Sequence, residues 1–117
     1  MKEFLIKDNN FFVTEGWMIN RLNLKGNSRN VFAIIYGFSQ DGYTWYEGSQ
    51  DYLAEWCNAT TQGISKNLKE LLEKDLIIKQ NVKRGRGHFC KYKCNLQKIN
   101  ELRCEKVIQE TKTIRYY

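Results

Sequence analysis

"LIIKQNVKRGRGHFCKYKCNL", residues 76–96, decides how this chain folds. In its second half Cys90, Tyr92, Cys94 and Leu96 alternate with Phe89, Lys91, Lys93 and Asn95. Alternation with a period of two marks a strand with one buried face. "LIIKQNV" before it is also strand-like, and a break of about five residues, "KRGRG", turns the pair into a β-hairpin with a loose basic tip, Lys83 to Gly87. A phosphate-cradling loop would need a strand-to-helix turn and a GxxxxGK[ST] pattern, which "RGRG" does not supply. A zinc site fails on geometry. Cys90 and Cys94 are four residues apart on a strand, about 13 Å, too far for neighbouring ligands at about 2.3 Å from one ion. His88 meets the same objection. With Cys57 and Cys104 they form no CxxC pair, so free, partly buried thiols are expected, and no metal or cofactor.

Upstream, "TTQGISKNLKELLEK" has a narrow apolar stripe, Ile64, Leu68, Leu71 and Leu72, with Gln62, Lys66, Lys69 and Glu73 on the opposite side. Thr60 is placed to cap this helix. Gly63 inside it implies a close backbone approach, to the neighbouring helix first or else to a phosphate. "Asn58-Ala59" makes a tight turn after a shorter helix, "QDYLAEWCN", capped by Ser49, with Asp51 at the positive end of its dipole. "YTWYEG" before it reads as a brief strand. Ser28 is the expected cap of "RNVFAIIYGFSQ", whose Val31, Phe32, Ile34, Ile35 and Phe38 make it apolar over most of its girth and therefore central. After the hairpin, Leu96, Ile99 and Leu102 begin a C-terminal helix.

Helix, short strand, helix, tight turn, helix and basic hairpin follow in that order. The fold class is α+β, mainly α: a winged helix-turn-helix with a three-helix core, a small antiparallel sheet and a hairpin wing. The expected single domain divides into an arm (1–15), a core (16–95) and a helical extension (96–117).

The charge agrees with this plan. Thr60 to Cys94 holds nine basic and three acidic residues, a net +6, while the remainder has ten of each and sums to zero. A field focused in one third of the chain favours a polyanionic partner. A helix-turn-helix reads DNA through the polar face of its second helix. Thr60, Thr61, Gln62, Ser65, Lys66 and Lys69 are the candidates there, with Gln62 suited to adenine and Lys66 to guanine or phosphate. In the wing, Arg84 and Arg86 suit a narrow minor groove, Lys83, Lys91 and Lys93 suit phosphates, and His88 a neutral hydrogen bond. His88 is the only histidine and stands in no catalytic arrangement, so no enzyme is expected. The start "MKEFLIKDNN" has no signal-peptide core, and no run of about 18 apolar residues would span a membrane. A bacterial cytoplasmic, nucleoid-associated protein is expected.

"GWMINRLNLKGNSRNVFAIIYGFSQDG" (16–42) and "WYEGSQDYLAEWCNATTQGISKNLKELLEKDLII" (45–78) resemble the N-terminal winged-helix domain of replication initiators, the replisome organisers of phages and mobile elements in Gram-positive bacteria. The resemblance runs over about residues 16 to 95. It implies origin-DNA binding, frequent self-association and recruitment of replication proteins, with Thr61, Gln62, Ser65 and Lys66 on the recognition helix and Arg84 and Arg86 in the wing. Members usually continue past the wing into a further region; this sequence stops soon after it.

Two readings stay open. One is a sequence-specific double-stranded DNA-binding protein of a phage or mobile element, in replication initiation or transcription control, homodimers included. The other is a phage-encoded winged-helix module that binds and inhibits a host or defence protein. Single-stranded nucleic acid would require exposed aromatic platforms. Phe89, Tyr116 and Tyr117 are the aromatics outside the apolar periodicity.

Overall fold

Seven elements follow in the computed structural model, which describes residues 5–110: α1 (Gly16–Asn20), α2 (Gly26–Ser39), α3 (Gln50–Cys57), α4 (Thr61–Glu73), β1 (Ile77–Arg84), β2 (Gly87–Cys94) and α5 (Leu96–Glu110). Tyr116 and Tyr117 lie outside the described residues.

The core forms around α2 because five consecutive residues there, Val31 to Ile35, are buried. A helix covered on that much of its girth needs partners on several sides. Trp17 and Met18 of α1, Leu53 of α3, Ile64, Leu68 and Leu71 of α4, and Tyr92 and Cys94 of β2 supply them. Phe38, near the end of α2, is instead 45% exposed and rests edge-on against Tyr46.

Ser28 does not cap α2. The helix starts two residues earlier, at Gly26, and Ser28 is buried within its first turn. Its hydroxyl donates to Glu70 Oε1 at 2.6 Å and lies 3.1 Å from Asn67 Oδ1, both on α4. Burial makes a hydrogen-bond partner mandatory for this hydroxyl, and α4 comes close enough to provide one. Ser39 ties the other end of α2 to the hairpin. Its hydroxyl donates to Ile35 O at 2.6 Å and accepts from Cys94 N at 2.9 Å.

The expected strand "YTWYEG" contracts to one bridge. Tyr46 and Tyr92 exchange backbone hydrogen bonds of 2.6 and 3.0 Å, and the sheet proper is the β1–β2 pair. The chain turns away at once because the Tyr46 ring folds under Gly48 and its hydroxyl donates to Ser49 O at 2.7 Å. A Cβ at position 48 would stand 2.5 Å from that hydroxyl oxygen, so the close approach requires glycine.

Ser49 caps α3 by accepting from Tyr52 N, and Thr60 caps α4 by accepting from Gly63 N. Between the helices Asn58 takes the left-handed conformation, φ +51°, which asparagine tolerates. Asn95 opens α5: its side chain accepts from Lys98 N at 3.3 Å and donates to Asp75 O at 3.0 Å, fixing the helix to the exit of α4. Ile99 is buried, and the Arg103 guanidinium lies 4.5 Å above the Trp17 ring.

Candidate nucleic-acid interface

The stripe of Ile64, Leu68 and Leu71 fixes the rotation of α4, so its other side faces solvent. Thr61, Gln62, Ser65, Lys66 and Lys69 are all exposed there. Thr60 is exposed as well, but its side-chain oxygen is engaged as the cap, 3.1 Å from Gly63 N. Gly63 corrects one expectation. A Cβ at that position would meet only Thr60 Oγ1, at 3.4 Å, so no neighbouring helix requires a glycine there. Glu70, on the side of α4 turned toward α2, pairs at 3.5 Å with Lys74, the residue that caps the helix C-terminally.

Ser65 does more than face outward. Its hydroxyl donates to Gln50 Oε1 at 2.8 Å, joining α4 to the first residue of α3. Gln50 in turn lines a groove of about 500 Å³ with Ser49, Arg84, His88 and Phe89. Ser65, Gln50, Arg84 and His88 therefore lie along one continuous surface from α4 to the hairpin. Gln50 is absent from any sequence-level expectation. Its only signal was the place just after the cap Ser49, and nothing in the spacing paired it with Ser65.

The wing is more regular than "KRGRG" suggests. Strand pairing runs in register from Ile77 opposite Cys94 to Arg84 opposite Gly87, leaving a two-residue turn, Gly85-Arg86. Gly85 has φ +60° and Arg86 does not share the positive φ, which fits the tight hairpin turn that places glycine first. The loose five-residue tip is thus replaced by paired strands, because one glycine suffices to reverse the chain.

Pairing sorts the basic residues onto two faces, since residues directly opposite in an antiparallel pair share a face and neighbours alternate. Lys83 pairs with His88 on the face that carries Cys90, Tyr92 and Cys94 toward the helices. Arg84, Lys91 and Lys93 share the other face with Phe89. There the Arg84 guanidinium lies 4.7 Å from the Phe89 ring centre. Lys91 and Lys93 both hold their ammonium groups over Trp45, at 4.8 and 4.6 Å. Arg86 is exposed at the turn.

All four cysteines are free. Burial pushes the Cys57 and Cys94 thiols above their ordinary range, so neither is a ready thiolate. Cys90 donates to Asn81 Oδ1 at 3.0 Å, across the hairpin. Among the described residues no group of three or more His, Cys, Asp or Glu could hold a metal ion. Nor is any helix among them long and apolar enough to cross a membrane.

Three packed helices, a tight turn before α4 and a paired hairpin after it define a winged helix-turn-helix domain. Residues 22–77, from the end of α1 to the start of β1, match the family model described as a helix-turn-helix domain. Among solved structures, the chain is similar to a possible transcriptional regulator of Methanosarcina mazei Go1, with 22% identity, 85% of this chain and 87% of the other covered, and a TM-score of 0.49. It is also similar to S. aureus MepR bound to ethidium bromide, with 13% identity, 84% and 70% coverage, and a TM-score of 0.47. No curated protein matches it in sequence.

Proposed function

We propose that this protein binds double-stranded DNA in a sequence-specific way, with α4 in the major groove and the hairpin turn against the backbone or minor groove. The observation that carries this reading is the Ser65–Gln50 hydrogen bond. It joins the exposed end of α4 to the groove edged by Arg84 and His88, so helix and wing offer one surface. Gln62 and Lys66 are the base-reading side chains of this interface and Arg84 and Arg86 its minor-groove or phosphate contacts. Gly63, with open space around it apart from its own cap, allows a phosphate to approach the helix backbone. The resemblance to replisome organisers supports a role in replication initiation or transcription control of a phage or mobile element.

Selection of bound sequences from a random duplex pool tests the reading. Enrichment of one motif is expected, and two half-sites about 10 base pairs apart would indicate a dimer. Failure to retain any duplex would overturn it and direct attention to a protein target.

A further inference from the structure

Beside the groove, whose edge includes Arg84 and Phe89, the hairpin carries a second assembly built on Trp45, Lys91 and Lys93. Lys93, Lys91 and Phe89 follow one another at alternate positions on the face of β2 opposite Tyr92 and Cys94. Trp45 stands beside them because its neighbour Tyr46 bridges to Tyr92, which sends the two side chains to opposite sides. Both lysine ammonium groups lie within 4.8 Å of the Trp45 ring centre, and Arg84 stands 4.7 Å from Phe89 farther along the same face. Nearby in sequence Tyr43 is 85% exposed. Among the described residues no carboxylate pairs with Lys91 or Lys93. Their positive charge is therefore uncompensated by any carboxylate there.

We infer that the part of this outer face formed by Trp45, Lys91 and Lys93 is a binding site for an unpaired nucleic-acid strand, adjoining the duplex surface at Arg84. A flat ring flanked by two ammonium groups meets the two requirements of such a ligand. The ring stacks on a base, and the lysines swing outward to the phosphates on either side. A paired duplex keeps its bases stacked inside and offers no free π-face to Trp45. An acidic peptide would satisfy the lysines but leave the aromatic rings without a role, which is why the strand is favoured. The site does not depend on the duplex reading, since Trp45, Lys91 and Lys93 lie outside the groove and need nothing from α4; Arg84 alone adjoins both.

The test is a titration of the full chain with an unstructured oligo(dT) strand, beside Trp45→Ala, Trp45→Leu and Trp45→Phe variants whose folding is checked by thermal melting. Loss of one stacked base corresponds to a drop of about five- to hundredfold in affinity. Trp45→Ala and Trp45→Leu should show that loss, Trp45→Phe should recover most of it, and duplex affinity should be unchanged in all three. Should the alanine variant not fold, the leucine and phenylalanine pair decides alone. Absence of oligo(dT) binding, equal affinity in the leucine and phenylalanine variants, or displacement of oligo(dT) by polyglutamate at equal charge concentration would overturn the assignment.

Discussion

The two faces of one hairpin carry basic side chains in different company. On the face toward the helices, Tyr92 and Cys94 are buried against α2, and Lys83 and His88 emerge only where the strands have run past the core. On the outer face, Lys91 and Lys93 begin beside the core and rest on an aromatic ring. The difference teaches that strand alternation, not local charge density, decides which cations can act together. Lys91 and Lys93 stand next to Tyr92 in sequence yet serve another surface.

The largest expected effect comes from the inner face. Tyr92→Ala removes a buried ring and should lower stability by about 3 kcal/mol or more, whereas Lys91→Ala with Lys93→Ala should change it by about 0.5 kcal/mol or less. Urea denaturation of both variants measures the contrast, and equal losses would mean that the two faces are not divided as described. Ser39→Ala comes next. It strands the Cys94 amide without its acceptor and should lower stability by about 1–3 kcal/mol, read by the same denaturation.

On the proposed duplex surface, Gln50→Ala releases Ser65 without touching any wing cation. It should weaken specific duplex binding by about 1 kcal/mol, roughly fivefold, and leave oligo(dT) binding alone. Anisotropy titrations with the two ligands separate these outcomes. The smallest effect concerns alkali. Burial and the neighbouring Cys90 push the Tyr92 hydroxyl up to about 12 from an ordinary 10.0. Its folded pKa is raised, so its contribution is fully present below pH 10 and is lost as pH rises toward 12. Thermal melts should show wild type losing stability through that window more steeply than Tyr92→Phe.

Much of the fold was legible because periodicity and caps report directly on local structure. Ile64, Leu68 and Leu71 gave the rotation of α4, and Ser49 and Thr60 marked two helix starts where the caps are found. Ser28 misled because a hydroxyl before an apolar run has the same look whether it caps its own helix or bonds across to another. The length of the turn was hidden since "KRGRG" contains two glycines, and only strand pairing reveals that Gly85 makes the reversal. The outward direction of Lys91 and Lys93 could be read from alternation. That Trp45 lies beneath them could not, because the contact depends on a single bridge, Tyr46 to Tyr92, between segments 46 residues apart. Gln50 was hidden for the same reason. Its contact with Ser65 depends on the angle between two helices, which no spacing within either one encodes.

The central claim is that α4 and the hairpin turn together hold duplex DNA. Its most direct test is the salt dependence of binding to a selected duplex, measured for wild type and for Arg84→Ala with Arg86→Ala. Contacts to phosphates make log K fall linearly with log salt, and removing two of them should make the slope shallower by about 2. A duplex affinity that ignores salt, or a slope the double substitution leaves unchanged, would contradict it.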